Sequence, residues 1–303
     1  MTLTPRRTMR LLQGHRWAVR AVAYPPGDPA TLASAGDDGA IRLWNTITGE
    51  QWGALPGHRS GTLALAFSPS GAQLASAGRD GYLRLWDVAA QRQAEELSHR
   101  SGPIRAVAFA PDGRSVLAPL HVQRVAQPGL LCVWAPARGH SELLPWPAAV
   151  HAAALAPEGD VVAVADERRV VALWDYRLVA RLGLVHCAHT VSHLAFAPPE
   201  AGRVLAVATG AAVELWDVAV RGRQAVCKGH KGRVRAVAFG PDGRTLLSGA
   251  ADHTARLWDA ATGRPLATWD WKLGRLFAVA VSPDGTTAAA GGEKPGVVVW
   301  DLD

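Results

Sequence analysis

Short apolar segments of four to six residues recur along the whole chain, separated by Gly, Pro and Asp. Segments of this length, bounded by turn residues, are typical of β-strands, and no adequate stretch follows a helical period. The phrase Pro-Asp-Gly lies between several of them, as at residues 241–243. There Pro sets φ, Asp can bond its own backbone and Gly can take a positive φ. The pattern predicts an all-β fold.

Tryptophan marks an internal repeat. Seven of the twelve tryptophans fall in one register: Trp44, Trp86, Trp134, Trp174, Trp216, Trp258 and Trp300. Their spacings are 42, 48, 40, 42, 42 and 42 residues. The length alone would allow two domains, but a regular period signals a repeat architecture. We therefore expect a single domain over residues 1–303.

Each register tryptophan closes a unit that several times opens with Gly-His. The sixth unit is the clearest, running from Gly229-His230 to Trp258-Asp259. The Gly-His opening, the Trp-Asp closing and the period of about 40 residues resemble the WD-repeat (beta-transducin-like) β-propeller family. The resemblance implies a seven-bladed β-propeller of four-stranded antiparallel blades, with strand a innermost and the Trp on strand c. The blades are expected at roughly residues 14–55, 56–97, 98–145, 146–186, 187–227, 228–269 and 270–303 plus 1–13.

The seventh unit lacks room for its outer strand, because only three residues follow Trp300. The segment Thr8 to Leu12 stands where strand d stands before the other Gly-His openings. We expect this N-terminal strand to close the ring and leave no open sheet edge.

Three units carry His, Ser, Asp and Trp at matched positions. These sets are His15, Ser34, Asp38 and Trp44; His58, Ser76, Asp80 and Trp86; and His230, Ser248, Asp252 and Trp258. A Ser-His-Asp set can indicate a hydrolase. However, a nucleophile site should occur once, and in the resembled family these four side chains form a buried hydrogen-bond chain. We interpret them as structural tetrads, and expect the other four units to be looser or held by packing.

Other chemistry is sparse. His186, Cys187, His189 and His193 suggest a metal cluster, but strand alternation would scatter them over different faces. No catalytic or phosphate-cradling motif is present, so we expect no enzyme activity, no metal and no cofactor.

The three cysteines form no disulfide framework and suit a reducing compartment. No apolar run reaches the length of a membrane span, and the twin arginine at 6–7 is not followed by one. We expect a cytoplasmic protein without membrane association.

The chain carries a net charge of +6, and 28 of its 32 basic residues are Arg, since only four are Lys. A codon bias would explain this composition, and so would an anion-binding surface. The resemblance implies that peptides bind on the face formed by the d–a and b–c loops. Carried over position by position, it predicts a rim consisting of Arg20, Arg79, Arg105, Arg233, Arg235 and Arg275, with Trp17 and Phe277 nearby.

The third unit is six residues longer than its neighbours, near residues 119–128, which we place in the b–c loop on the same face. Arg124 lies within this insertion and is added to the predicted rim. Insertions in repeat proteins map to loops on one face, often the binding face, although neutral drift would also produce one.

These observations favour a non-catalytic scaffold, a monomeric propeller that binds an acidic or phosphorylated segment of a protein partner on the arginine-rich face. Two alternatives remain. The first is a nucleic-acid-binding propeller, which would show steep salt dependence. The second is an enzyme with an unrecognised site in the central channel, which would contain a perturbed carboxylate or histidine cluster.

Overall fold

The computed structural model describes residues 8–98, 102–120, 129–145, 150–175 and 180–302, with only the backbone of residue 151. It contains seven four-stranded antiparallel sheets, arranged as the blades of a ring. The all-β class and the seven-bladed architecture predicted from the sequence are confirmed. Within the described ranges the only helical elements are two 3₁₀ turns, Pro136–Arg138 and Pro199–Ala201, and no helix is long and apolar enough to cross a membrane.

Each blade is an antiparallel meander that runs from the innermost strand outwards. Blade 1 consists of β2 (Val19–Ala23), β3 (Thr31–Gly36), β4 (Ile41–Asn45) and β5 (Gln51–Leu55), and blade 2 of β6 (Thr62–Phe67), β7 (Gln73–Gly78), β8 (Tyr82–Asp87) and β9 (Arg92–Ser98). Blade 3 consists of β10 (Ala108–Phe109), β11 (Val116–Leu120), β12 (Leu130–Ala135) and β13 (His140–Pro145), and blade 4 of β14 (Val150–Leu155), β15 (Val161–Asp166), β16 (Val170–Asp175) and β17 (Ala180–His186). Blades 5 to 7 consist of β18 (Val191–Phe196), β19 (Val204–Thr209), β20 (Ala212–Asp217) and β21 (Gly222–Lys228); β22 (Val234–Phe239), β23 (Thr245–Ala250), β24 (Ala255–Asp259) and β25 (Pro265–Trp269); and β26 (Leu276–Val281), β27 (Thr287–Gly292), β28 (Val297–Asp301) and β1 (Met9–Leu12).

The N-terminal strand closes the ring, as predicted. β1 pairs antiparallel with β28, with Met9 opposite Trp300 and Leu12 opposite Val297. The Thr8 backbone N–H donates to Asp301 Oδ2 at 2.9 Å. Leu12 is buried in the core between blades 7 and 1. The outer edge of β28 is therefore satisfied by the start of the chain.

The hydrophobic core is divided among the interfaces between blades. Seven clusters of buried residues are present, each built mainly from two neighbouring blades. Trp44, Trp86, Trp258 and Trp300 are among the largest fully buried side chains. Burying a large apolar side chain contributes about 1.5–3 kcal/mol, so these four tryptophans help to hold their blades to the neighbouring ones.

The Pro-Asp-Gly turns form as their chemistry predicts. At residues 240–244 the Gly243 N–H donates to the Gly240 carbonyl and the Arg244 N–H donates to Asp242 Oδ1, both at 2.9 Å. Gly243 has φ of +67°, and a Cβ on it would lie 2.1 Å from the Ala201 Cβ. The left-handed backbone and the contact with blade 5 both require glycine there.

The structure of blade 3 corrects one predicted boundary, the start of the inserted b–c loop. Pro119 and Leu120 were assigned to the inserted b–c loop, but they end strand β11. Proline lacks the N–H that a ladder bond needs, and Pro119 lies beyond the point where pairing of β11 with β10 stops. Strand β10 is accordingly only two residues long. The rest of the insertion, including Arg124, lies outside the described residues.

Candidate interaction site at the channel mouth

The innermost strands surround a central channel of about 830 Å³. Much of its wall consists of Ala, Val and Leu side chains from these strands. Arg20, Arg79, Arg105, Arg233 and Arg235 line it as well. Each of these lies at or just before the start of an innermost strand, or directly after a second strand, so all five are at one end. We call this end, together with Arg275 and Phe277, the channel mouth.

A β-bulge lies at the mouth in six of the blades. In each of them the register between the first and second strands shifts at the second residue of the innermost strand. The residues in these bulges are Arg20, Leu63, His151, Ser192, Arg235 and Phe277. Bulges are known to re-aim a side chain and to cluster near functional sites. Three of the residues predicted for the rim, Arg20, Arg235 and Phe277, lie in such bulges, which the sequence pattern did not reveal.

Two mouth arginines share a carboxylate. Asp37 accepts from Arg20 Nε at 2.9 Å and from Arg79 Nη2 at 2.7 Å. Burial would raise the pKa of Asp37, but the two guanidinium groups outweigh it and lower the pKa. Asp37 therefore stays ionised and cancels one of the two positive charges on the side of blades 1 and 2.

Arg275 is also paired. Its Nη2 donates to Glu293 Oε1 at 2.7 Å, and its Nε donates to Glu293 Oε2 at 3.2 Å. These hydrogen bonds lower the pKa of Glu293 to about 2. The pair is exposed and close to neutral in charge, so Arg275 contributes little free positive charge to the mouth.

The remaining three mouth arginines, Arg105, Arg233 and Arg235, form no ion pair with any residue that the structure describes. The Nε of Arg235 is buried and has no hydrogen-bond acceptor among those residues. Its guanidinium lies over the Phe277 ring at 5.3 Å from the centroid, and that of Arg20 lies over the same ring at 4.1 Å. Burial lowers the pKa of Arg235, the nearby Arg233, Arg275 and Arg20 charges lower it further, and Glu293 opposes the shift.

The structure thus brings the six predicted arginines and Phe277 to one end of the channel. Trp17 is 63% exposed and lies in the loop before β2, at the same end. The pairing of Arg20, Arg79 and Arg275 with carboxylates was not evident from the sequence, although the positions of Asp37 and Glu293 directly after second strands offered a signal.

The three sets of His, Ser, Asp and Trp also come together. In blade 6 the Trp258 Nε1–H donates to Ser248 Oγ at 2.7 Å, Ser248 Oγ lies 2.7 Å from His230 Nε2, and His230 Nδ1 lies 3.0 Å from Asp252 Oδ2. The same contacts are between 2.7 and 3.0 Å in blades 1 and 2. Each serine is 0% exposed, so no substrate can reach its hydroxyl.

The protonation states follow from the environment. Burial lowers the pKa of His230 more than Asp252 raises it. Burial would raise the pKa of Asp252, but hydrogen bonds from Lys231 N–H, Thr254 and His230 lower it to about 2. A neutral imidazole therefore donates Nδ1–H to a carboxylate, and its Nε2 accepts from the serine, whose oxygen accepts from the indole. Each polar side chain of this tetrad thus has a hydrogen-bond partner within it.

In blades 5 and 7 the register tryptophan makes different contacts from those in the tetrads. In blade 5 the Trp216 Nε1–H donates to Glu214 Oε2 at 3.0 Å. In blade 7 the Trp300 ring packs against Trp269 and Trp271 at centroid distances of 5.5 and 5.7 Å, while its Nε1–H has no partner among the described residues. Aromatic packing replaces the hydrogen-bond chain in blade 7.

The suspected metal cluster is dispersed. His186 is exposed at the end of β17, Cys187 is buried, and His193 lines the channel from β18. Among the described residues, no group of three or more His, Cys, Asp or Glu could hold a metal ion. All three cysteines are buried, and burial raises the pKa of each thiol to about 12.

Comparison with known proteins identifies repeats in the blades that contain tetrads. The family model "WD domain, G-beta repeat" matches residues 5–45, 49–87 and 222–259. These segments cover the tetrad residues of blades 1 and 2 from His15 to Trp86, and those of blade 6 from His230 to Trp258.

Three curated proteins resemble parts of the chain. The periodic tryptophan protein 2 homolog of Dictyostelium discoideum is 36% identical over 61 residues, the protein transport protein sec31 of Schizosaccharomyces pombe is 43% identical over 51, and the ribosome biogenesis protein erb1 of Botryotinia fuckeliana is 36% identical over 67. The matches cover 20%, 17% and 22% of this chain, and only 6%, 4% and 9% of those proteins. The chain therefore carries three WD40 repeats in a seven-bladed β-propeller, an architecture consistent with the WD-repeat family.

Proposed function

We propose that this protein is a non-catalytic interaction scaffold whose channel mouth binds an acidic or phosphorylated segment of a protein partner. The observation that carries the proposal is the excess of guanidinium groups over carboxylates at the mouth. Asp37 and Glu293 compensate part of the charge, while Arg105, Arg233 and Arg235 have no carboxylate partner among the described residues. Arg suits bidentate recognition of carboxylate and phosphate.

The WD40 repeats support the scaffold part of the proposal. Two of the relatives are named for protein transport and for ribosome biogenesis, both of which involve assemblies of several proteins. Function in repeat folds resides in exposed loops and rims, because packing occupies the repeated positions. A cytoplasmic location belongs to the same proposal and agrees with a chain that has only three cysteines, all of them buried.

The composition of the channel favours binding over catalysis. Its described lining contains Arg, Ala, Val, Leu, Phe, Thr, Ser and a single His, and no carboxylate. Burial lowers the pKa of that residue, His193, to about 4, so it is neutral near pH 7. A general acid or base needs a pKa near the operating pH and a positioned partner.

Nucleic acid is the alternative that arginines always suggest. Here Asp37 and Glu293 dilute the positive charge, and the aromatic rings of the described channel lining are two phenylalanines, Phe196 and Phe277, at opposite ends of their strands. Non-specific binding of single strands uses a continuous basic groove with successive stacking platforms. A random oligonucleotide titrated at rising salt tests the alternative, since steep salt dependence without sequence preference would support it.

The test of the proposal is affinity capture from lysate with two triple variants. The mouth variant carries Arg20→Ala, Arg105→Ala and Arg235→Ala. The control variant removes three exposed arginines outside the mouth: Arg92→Ala, Arg114→Ala and Arg264→Ala. Both variants lose the same charge, so a general electrostatic effect would change both equally.

We expect a specific partner to be retained by the wild type and by the control variant, and lost by the mouth variant, with melting curves that show all three folded. The same set of partners on all three proteins would reject the mouth as the binding site. Competition of the captured partner by a polyglutamate or phosphoserine peptide would identify the recognised chemistry as anionic.

A further inference from the structure

The uncompensated charge at the mouth is concentrated in blade 6. Arg233 and Arg235 flank the start of β22 and both line the channel. Neither forms an ion pair with a described residue, whereas Arg20 and Arg79 share Asp37 and Arg275 holds Glu293. Two positive charges thus lie close together without an ion-paired anion, and the Arg233 charge adds to burial in lowering the pKa of Arg235, against a smaller opposing effect of Glu293.

Arg235 makes an aromatic contact and carries a buried donor without a partner among the described residues. Its Cζ lies over the Phe277 ring at 5.3 Å from the centroid, a cation–π contact that favours this position of the group. Its buried Nε–H has no acceptor among the described residues, and a buried donor without a partner is unfavourable. Because Arg235 lines the channel together with Arg233, an oxyanion in the mouth would meet two guanidinium groups, which suit phosphate recognition.

We propose, building on the function proposed above, that Arg233 and Arg235 bind the dianionic phosphate monoester of a phosphorylated side chain in the partner segment, in preference to a carboxylate. A phosphorylated side chain carries a charge of about −1.5 to −2 at neutral pH and three acceptor oxygens. This matches two unpaired guanidinium groups. A carboxylate would neutralise only one of them.

Asp37 explains why the other side of the mouth does not compete for the phosphate. There the protein supplies its own carboxylate, which already occupies Arg20 Nε and Arg79 Nη2 at 2.9 and 2.7 Å. An external anion would be repelled by Asp37, which the same arginines keep ionised by lowering its pKa. On the side of blade 6 the nearby described carboxylate is Glu293, which is paired with Arg275 and acts on Arg235 without forming an ion pair with it, so an incoming phosphate meets less competition there.

The experiment uses three peptides that differ only at a central residue, which is phosphoserine, O-sulfoserine or glutamate, and inorganic phosphate as a fourth probe. Sulfoserine has nearly the shape of phosphoserine but a single negative charge, so it separates charge from geometry. Each probe is titrated into full-length protein labelled with ¹⁵N-arginine, and the side-chain Nε–H resonances report binding. The proteins are the wild type, Arg235→Gln, Arg233→Gln and, as a matched control, Arg79→Gln.

We expect the phosphoserine peptide to bind at least fivefold more tightly than the sulfoserine and glutamate peptides, a ratio that corresponds to about 1 kcal/mol. We expect Arg235→Gln and Arg233→Gln each to weaken it about tenfold, as for the loss of a charge-assisted hydrogen bond, and Arg79→Gln to weaken it less than about twofold. Arg233 is exposed, so its variant remains informative even if Arg235→Gln disturbs folding.

Several outcomes would overturn the inference. Equal affinity of the three peptides, or an equal loss in Arg79→Gln and Arg233→Gln, would show that blade 6 does not select a dianion. Inorganic phosphate binding as tightly as the phosphopeptide would assign the site to a small free phosphate. If the glutamate peptide binds best and is lost in Arg235→Gln, the dianion preference fails while the proposed function stands. If no peptide binds and partner capture is unaffected by the mouth variant, both fail.

Discussion

The polar groups of the blade 6 tetrad have hydrogen-bond partners within the protein, whereas the channel mouth contains a buried polar group that has none among the described residues. In blade 6 the buried Ser248 hydroxyl is 2.7 Å from both Trp258 Nε1 and His230 Nε2, and each of these groups finds its partner within the protein. At the mouth, in the same blade, the buried Arg235 Nε finds none among the described residues. Buried polar groups in folded proteins are normally satisfied. The Nε atoms of Arg42 and Arg256 also lack a partner among the described residues, so what distinguishes Arg235 is its place in the channel lining.

The tetrads and the channel mouth also differ in how far their residues repeat from blade to blade. The tetrad occurs in three blades with the same contacts. The bulge position at the mouth is Arg in blades 1 and 6, but Leu63, Ser192 and Phe277 occupy it in blades 2, 5 and 7. Positions that repeat serve the blade as a folding unit, while those that differ between blades give the mouth its particular chemistry.

The largest expected effect is on the free energy of unfolding, when the tetrad of blade 6 is disrupted. Ser248→Ala should lower the free energy of unfolding by about 2–6 kcal/mol, because it leaves Trp258 Nε1–H and His230 Nε2 buried without partners, each at about 1–3 kcal/mol. Urea unfolding measures the change, with the exposed Ser60→Ala as control. A loss below about 1 kcal/mol would mean that the hydrogen-bond chain does not stabilise the blade.

The pH dependence of stability gives a smaller effect, through a histidine that has no carboxylate partner among the described residues. Burial lowers the pKa of His193 to about 4, against about 6.5 in the unfolded chain. The unfolded chain therefore binds the proton first, and stability falls as pH decreases from about 6.5 to about 4. Because the ring faces the solvated channel, we expect a loss of only about 1–3 kcal/mol.

His193→Gln should remove this part of the pH dependence, since glutamine cannot titrate in that range. Melting temperatures of wild type and variant at pH values of about 7, 5.5 and 4, which bracket the two pKa values, provide the measurement. His58 and His230, whose pKa values are also lowered by burial, contribute equally to both proteins. Parallel pH curves would show that His193 is not the group responsible.

A matched pair of tryptophan variants isolates the indole hydrogen bond. Trp258→Phe and Trp300→Phe remove the same volume from buried sites, but Trp258 Nε1–H donates to Ser248 whereas Trp300 Nε1–H has no partner in the described part of the chain. We expect Trp258→Phe to cost about 1 kcal/mol more than Trp300→Phe. Equal losses in denaturant unfolding would indicate that packing alone determines both.

Much of the fold followed from residue types at fixed spacing. The tryptophan register and the turns predicted seven blades, and the position of residues 8–12 predicted the closing strand β1 that pairs with β28. Local chemistry determines these features, because each repeat forms its strands and turns from its own residues. The end of β11 was misplaced because Pro119 is unusual within a strand.

The charge balance of the mouth could not be predicted in the same way. Arg20 and Phe277 are far apart in sequence and meet because the ring closes. The β-bulge that aims Arg235 has no recognisable sequence pattern, and the exchange of a tetrad for the Trp269, Trp271 and Trp300 cluster depends on side-chain packing. Arg124, predicted for the same face, lies outside the described residues.

The central claim is that the unpaired mouth arginines are kept for a ligand, while the paired ones near the tetrads are kept for the fold. The most direct test compares the unfolding free energies of Arg84→Gln and Arg233→Gln in partner-free protein. Arg84 is 11% exposed and donates to Asp80 Oδ2 at 2.9 Å, so its loss should cost about 1.5–3 kcal/mol. Arg233→Gln should change stability by less than about 0.5 kcal/mol, or increase it by relieving repulsion with Arg235. A loss above about 1 kcal/mol in Arg233→Gln would contradict the claim and assign that arginine to the fold.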